Sequence, residues 1–185
     1  MSTEREEFVS VDVETTGPIP GEYSLVSIGA CLVDNPARTF ACELKPLNLN
    51  ADPNALKITG LSLERLEKTG LPANKAMQQF DAWLGERTGQ GCRPVFVGLN
   101  APFDWSFVNY YFHRFLGRNP FGFTALDIKA YYMGATGCSW ADTRSSRMAE
   151  TLAPEREPDH QALSDAQYQA ELFRLMRTKF GVPNR

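Results

Sequence analysis

Turn-forming residues divide the N-terminal part of the chain into three apolar runs, and this division constrains the fold more than any other feature. The runs occupy residues 8–13, 23–33 and 39–44, and short segments rich in Gly, Pro and Asn separate them. Parallel neighbours need a crossover of a dozen residues or more, so links this short predict an antiparallel meander of three strands.

Helical patterns alternate with single short strands in the rest of the chain. Helical spacing and capping residues predict helices over residues 63–68, 74–87, 102–116 and 163–180. Short strands are predicted at 95–97 and 123–128, and residues 134–159 are interpreted as a mobile loop region with at most a helix inside it. Strands first, then helices alternating with strands, predict one α/β domain with a mixed sheet.

Composition excludes several classes of protein. The 19 Lys and Arg against 22 Asp and Glu give a net charge of −3, which excludes a globally basic nucleic-acid coat protein. No run approaches the ~20 apolar residues of a membrane span, so no membrane partner is expected. The four cysteines form no C-x-x-C pair and are expected to be buried, reduced thiols of a cytoplasmic protein.

The first strand carries two acidic residues on one face. Asp12 and Glu14 are two residues apart, which on a strand places their side chains on the same side at a separation of about 6.6 Å. A polar outer face of a half-solvated strand would show the same alternation. Two like charges side by side are nevertheless unfavourable unless a cation lies between them, so a metal site is the alternative interpretation.

Two further acidic residues are predicted near helix N-termini. Asp104 falls in the first turn of the predicted helix that follows Asn100, where the helix dipole favours an acid without any function. Asp165 lies five residues after His160, and these two would point about 140° apart if both stood inside a helix. They can share a site if His160 lies on the loop before the helix, which Pro158 favours because it blocks an upstream extension.

Three motifs in order give the chain a family resemblance. Asp-x-Glu on the first strand, Asn-x-x-Phe-Asp at a helix start and His-x(4)-Asp near the C-terminus resemble the DEDDh subgroup of the DnaQ-like 3′→5′ exonucleases, a family that includes RNase T and oligoribonuclease. The resemblance covers residues 8–173 and implies an RNase H-like fold with a mixed five-stranded sheet and helices on both faces. It also implies that residues 1–185 form a single exonuclease domain.

The resemblance implies specific roles for the acidic residues. Asp12, Glu14, Asp104 and Asp165 would bind two Mg²⁺ ions, for which Mn²⁺ can substitute, and His160 would act as the general base. This assignment has a chemical reason, because hard divalent ions take oxygen ligands and a histidine exchanges protons near pH 7. The other histidine, His113, lies in an aromatic helix and is interpreted as structural.

Substrate contacts are also implied by the resemblance. The residues expected to bind the nucleic-acid substrate are Thr15, Thr16, Ile58, Thr59, Gly60, Leu61, Asn100 and Phe103. Two positions depart from the family pattern: Ser27 stands where an acidic residue is common, and Thr59 where His is common. Secondary phosphate contacts could come from Lys57, Arg65, Arg114, Arg118, Lys129, Arg144 or Arg147, and the sequence does not choose among them.

The function expected is a metal-dependent 3′→5′ exonuclease. It would act on single-stranded RNA or DNA with a free 3′ end and release nucleoside 5′-monophosphates. Two alternatives remain open: a non-catalytic nucleic-acid-binding or scaffold module of the same fold, and a DNA proofreading subunit. No extension after the last helix offers a tether to a polymerase, which favours independent processing or repair. A homodimer is possible by analogy with the family.

Overall fold

The computed structural model describes residues 5–88 and 91–181, and five strands form its centre. The strands are β1 (Arg5–Thr15), β2 (Leu25–Leu32), β3 (Asn35–Glu43), β4 (Cys92–Gly98) and β5 (Ala125–Asp127). They form one sheet in the order β3-β2-β1-β4-β5. β1, β2 and β3 pair antiparallel, which confirms the predicted meander, and β4 and β5 run parallel to β1.

Helices cover both faces of this sheet. They are α1 (Pro53–Thr59), α2 (Leu63–Thr69), α3 (Ala73–Thr88), α4 (Ala101–Leu116), α5 (Ile128–Thr136), α6 (Ser145–Leu152) and α7 (Ala162–Lys179). One core contains Val11 and Val13 of β1 with Phe80 of α3 and Phe107 of α4. A second core, on the other face, joins side chains of α5, α6 and α7 around Phe173. The predicted mixed five-stranded sheet with helices on both faces is confirmed.

The start of α7 lies directly on β2 at Gly29. A Cβ at this position would come 2.1 Å from the carbonyl carbon of Ala162, well inside van der Waals contact. Glycine is therefore required for this close approach. The contact fixes the first turns of α7 above the middle of the sheet.

Two strand predictions differ from the structure. The third strand begins at Asn35, although residues 34–36 were expected to form a turn; Pro36 is accommodated because β3 is an edge strand. The prediction of a strand over 123–128 is wrong at both ends. Phe123 is 88% exposed and lies outside β5, and Asp127 ends the strand by capping α5 with its side chain.

Residues 134–159 contain more regular structure than a loop. A short 3-10 helix (Trp140–Thr143) and α6 lie within them, because buried Met148 and Leu152 pack into the second core. The helices α1 and α5 are also additions to the sequence prediction. No helix in the described ranges is long and apolar enough to cross a membrane. The four cysteines are unpaired, with Cys31 buried and the other three half-buried.

Candidate active site

β1 presents two carboxylates on the face that α7 covers. Asp12 and Glu14 alternate with Val11 and Val13, whose buried side chains belong to the core on the opposite face. The prediction that Asp12 and Glu14 share one side of a strand is confirmed. Glu14 pairs with Ser27 on β2, so the position where the family often has an acid lies directly beside it.

Asp104 reaches this region from the first turn of α4. Asn100 precedes the helix in the left-handed conformation (φ 68°), which turns the chain sharply out of β4. The buried Asp104 carboxylate accepts a hydrogen bond of 3.0 Å from the backbone N–H of Val13, the residue between Asp12 and Glu14. This bond ties the helix start to the two acidic residues of β1.

His160 and Asp165 adopt the arrangement that the sequence predicts. His160 lies on the loop before α7, with a left-handed φ of 60°, and Asp165 lies in the first turn of the helix. The Asp165 carboxylate accepts backbone N–H bonds from Asp159 (2.9 Å) and His160 (3.1 Å). Asp165 therefore fixes the backbone that carries the exposed His160 side chain.

Three carboxylates meet above the centre of the sheet. Asp12, Glu14 and Asp165 each offer a carboxylate oxygen, and these three atoms lie within 4.8 Å of one another. Asp104 stands beside this trio, held by Val13, rather than within it. All-oxygen, anionic donors at this spacing suit a hard divalent cation such as Mg²⁺ or Mn²⁺.

Burial and mutual repulsion disfavour the charged forms of these acids. Burial, followed by the charges of Asp104, Glu14 and Asp165, raises the pKa of Asp12 well above its usual range. Burial raises the pKa of Glu14 to about 7 and that of Asp104 to about 8. The pKa of Asp165 is also raised, mainly by burial. A bound cation would offset both effects, which is a physical reason to expect one here.

Gln169 is a residue of the site that sequence reasoning missed. Its side chain is 3% exposed, and its amide nitrogen donates a 2.5 Å hydrogen bond to Oδ1 of Asp12. Its amide oxygen accepts the backbone N–H of Leu99 at 2.8 Å, which fixes which end of the amide faces Asp12. A Gln one turn after Asp165 was the only available signal, and it is weak because polar residues on helices are usually exposed.

A cavity of about 540 Å³ opens beside the carboxylates on the side of β2 and β3. Its lining includes Glu14, Ser27, Thr59, Leu61 and His160. Two of the predicted substrate residues therefore share a cavity with a predicted metal ligand and the predicted base. The opening is large enough to receive a small organic group beside the carboxylates.

The remaining predicted substrate residues fall into three groups. Thr15 and Thr16 are buried and use their hydroxyls internally, on the carbonyls of Gly17 and Asn50, so they shape the turn after β1. Ile58 is 58% exposed at the end of α1, and Gly60 caps that helix. Asn100 and Phe103 lie with Asp104 at the start of α4.

Trp105 and His113 lie elsewhere on α4. The half-buried Trp105 ring forms a T-shaped pair with Phe96, with 5.3 Å between centroids, and so packs against the core. His113 is exposed in the last turn of α4, nine residues and about 13.5 Å along the helix axis from Asp104. His113 is therefore remote from the carboxylates, and its interpretation as a structural residue stays a prediction.

Comparisons with known proteins agree with this geometry. A family model described as Exonuclease, of the RNase T type, matches residues 9–173. A 3′-5′ DNA exonuclease named Cap18, from Escherichia coli, is 55% identical over 176 residues, covering 95% of this chain and 94% of the relative.

Solved structures share the fold. The nuclease domain of 3′hExo, a DEDDh family member bound to rAMP, superposes with a TM-score of 0.75 at 15% identity, covering 98% of this chain and 96% of that one. E. coli Exonuclease I in complex with a dT13 oligonucleotide gives a TM-score of 0.72 at 18% identity, covering 94% of this chain and 41% of that one.

Proposed function

Because this chain belongs to the RNase T exonuclease family and is a 3′–5′ exonuclease, we propose that it removes nucleotides from single-stranded DNA with a free 3′ end and releases nucleoside 5′-monophosphates. The observation that carries this proposal is the meeting of the Asp12, Glu14 and Asp165 carboxylates within 4.8 Å. Carboxylates from separate chain segments that converge at one point, against their own repulsion, are suited to phosphate chemistry that needs cations.

We propose Asp12, Glu14, Asp104 and Asp165 as the ligands of two Mg²⁺ ions, for which Mn²⁺ can substitute. Such ions would neutralise charge on the attacked phosphate and on the leaving oxygen, and would make water more acidic. Asp12, Glu14 and Asp165 supply the shared oxygen cluster, and Asp104 adds a carboxylate from α4. The all-carboxylate donor set supports Mg²⁺ over softer metals.

We assign His160 the role of general base. His160 lines the same cavity as Glu14, and a histidine side chain is suited to take a proton from an attacking water. Asp165 contributes twice, since its carboxylate joins the cluster and also accepts the backbone N–H of His160. Metal binding and base placement are thereby linked through one side chain.

The cavity beside the carboxylates is proposed to hold the terminal nucleotide. Thr59 and Leu61 form one wall, and β2 and β3 contribute Ser27 and Ala41. Asn100 and Phe103, at the start of α4, would contact the strand on the other side of the scissile phosphate. Assignment of DNA as the substrate rests on the 55% identical relative, which is a DNA exonuclease.

The decisive experiment compares four substrates with the purified protein in Mg²⁺. They are 5′-labelled single-stranded DNA, the same sequence in RNA, the DNA with a 3′-phosphate, and a circular single-stranded DNA. We expect stepwise shortening of linear DNA from the 3′ end, slower cleavage of the RNA, inhibition by the 3′-phosphate and an intact circle. Cleavage of the circle would establish an endonuclease and contradict the proposal.

We also propose that residues 1–185 act as one exonuclease domain in the cytoplasm. The match of the family model to residues 9–173 supports a single domain, and the four unpaired cysteines suit a reducing compartment. Assembly as a homodimer stays a prediction, which light scattering on the purified protein tests directly.

A further inference from the structure

We infer that Lys129, Trp140 and Arg144 form a second binding site for the DNA strand, which holds nucleotides on the 5′ side of the bond that is cut. This inference rests on the proposed function. We call the three residues the strand platform.

The aromatic part of the strand platform is exposed. The side chain of Trp140 is 53% exposed on the short 3-10 helix. The ammonium nitrogen of Lys129 lies over one face of its ring, 4.4 Å from the centroid. An exposed aromatic ring beside a cation matches the way proteins bind single strands, in which bases stack on rings while positive charges follow the phosphates.

One edge of the strand platform is tied to the start of α4. Asp127 accepts the backbone N–H of Ala101 at 2.7 Å with one carboxylate oxygen and that of Ala130 at 2.7 Å with the other. The N-termini of α4 and α5 therefore meet at Asp127. Lys129 lies in the first turn of α5 and Asp104 in the first turn of α4, so both are close to this junction.

The other edge of the strand platform leads to α7. Arg144 directly precedes α6, and the buried Met148 and Leu152 of α6 share the second core with Tyr168 of α7, one turn after Asp165. The backbone carbonyl of Arg144 accepts the N–H of Met148 at 3.0 Å, whereas its exposed side chain forms no hydrogen bond or ion pair within residues 5–88 and 91–181. Its guanidinium is thus available for a phosphate. Asp142, the acid nearest in sequence, is bonded by the hydroxyl of Ser139.

Strand order places the cavity and the strand platform on opposite sides of the carboxylates. The cavity lies over β2 and β3, the platform follows β5, and Asp12 and Glu14 stand on β1 between them. Neighbouring strands are about 4.8 Å apart, so β5 lies about 10 Å from β1. A single-stranded DNA whose last nucleotide lies in the cavity, and whose scissile phosphate lies at the carboxylates, would therefore continue toward Trp140.

The test compares substrates that have nucleotides upstream of the cleaved bond with a substrate that has none. The substrates are single-stranded oligodeoxynucleotides of increasing length, and thymidine 5′-monophosphate p-nitrophenyl ester, which has one nucleotide and no upstream strand. We expect Trp140→Ala to lower kcat/KM on the long oligonucleotides on the order of tenfold, the loss of one stacked base, and to leave kcat/KM on the ester unchanged. Lys129→Gln and Arg144→Gln should act in the same direction and weaken the salt dependence.

Phe123→Ala is the matched control. Phe123 is an exposed aromatic residue like Trp140, yet it precedes β5, whereas Lys129 follows it, so it lies at the opposite end of the strand. This substitution should change neither substrate. Binding of a 5′-labelled dT10 in EDTA, followed by anisotropy, gives a second readout that needs no cleavage, and Trp140→Ala should weaken it as well.

Three results would overturn the inference. Equal loss of kcat/KM on the ester and on the long strands would make Trp140 a structural residue. Unchanged kinetics and unchanged anisotropy would show that the strand runs elsewhere. A change in oligomeric state with an unaltered length dependence would identify the strand platform as an interface between copies. If the wild-type protein cleaves neither substrate, the proposed function fails, and the anisotropy still decides whether the platform binds a strand.

Discussion

Gln169 holds Asp12 in place from a helix that lies 157 residues further along the chain. Its amide donates to the carboxylate of Asp12, and the backbone N–H of Leu99 fixes the amide in the orientation that allows this. A metal ligand whose rotamer is fixed before the ion arrives loses less conformational freedom on binding. Gln169 is therefore a positioning residue for the first acidic residue of the site.

We expect Gln169→Leu to weaken metal binding by about 10- to 100-fold, because it removes the donor that orients Asp12 and retains the side-chain volume. Titration of Mn²⁺ against the thermal unfolding of the protein measures this. Gln167→Leu is the control, since Gln167 lies on the same helix and bonds the carbonyl of Pro36 instead. Wild-type Mn²⁺ affinity in Gln169→Leu, or an equal loss in Gln167→Leu, would show that Gln169 does not position Asp12.

His160→Ala should lower the single-turnover rate by roughly 10²–10⁴-fold, the usual contribution of a general base. Metal affinity should change little, because the four carboxylates remain and Asp165 bonds only the backbone of residue 160. Asp12→Ala should abolish both activity and metal affinity. A His160→Ala protein that keeps the wild-type rate, or loses metal as Asp12→Ala does, contradicts the assignment.

Adding Mg²⁺ or Mn²⁺ should raise the melting temperature of the protein, because the ion binds the folded carboxylate cluster and not the unfolded chain. At a metal-ion concentration one hundred times its dissociation constant, binding should raise the free energy of unfolding by about 2.7 kcal/mol. Differential scanning calorimetry with and without the ion measures the shift, and EDTA should abolish activity. The protein with both Asp12→Asn and Asp165→Asn should show no shift, and full activity in EDTA would exclude metal dependence.

The metal-free protein should become less stable as the pH rises from about 5 to 8. The pKa of Glu14 is raised to about 7 and that of Asp104 to about 8 in the folded state, so the folded protein binds more protons than the unfolded chain in this range. Stability from these groups is fully present below their ordinary pKa values and is lost as the pH passes the raised ones. Melting temperatures in EDTA at several pH values test this.

Substitutions provide the control for that pH dependence. Glu14→Gln and Asp104→Asn should each flatten it, because a neutral amide has no proton to lose. Glu64→Gln, at an exposed residue of α2 that pairs with Lys68, should leave it unchanged. A melting temperature that stays constant or rises toward pH 8 in the unmodified protein would rule out the repulsive cluster.

Much of the fold is predictable because turn residues and caps act locally. Short links fix the meander, and Ser62 caps α2 as its position suggests. The helix α1 was also within reach, since Asp52 caps it and Pro53 follows at the first helical position. The helix α5 could not be predicted in this way, because the alternation of Leu126, Asp127 and Ile128 is typical of a strand. Only the packing of Ile128 in the second core favours a helix there.

In the candidate site too, features set by local sequence could be predicted, and features set by long-range contacts could not. Asp12 and Glu14 could be placed on one face from strand periodicity alone, and His160 before α7 from Pro158. The contacts of Gln169 with Asp12 and of Asp104 with Val13 join residues far apart in sequence, and no local pattern encodes them. Nor could the sequence show that Thr16 is buried with its hydroxyl bonded to Asn50.

The seat of α7 on Gly29 has a consequence for the order of events during synthesis. Asp165 and Gln169 belong to this last helix, and they reach Asp12 only when Ala162 settles on β2. A growing chain that has left the ribosome only as far as residue 159 carries Asp12, Glu14 and Asp104 without their partners. On the proposed assignment of the site residues, the nascent polypeptide therefore gains nuclease activity only after α7 has packed on the sheet.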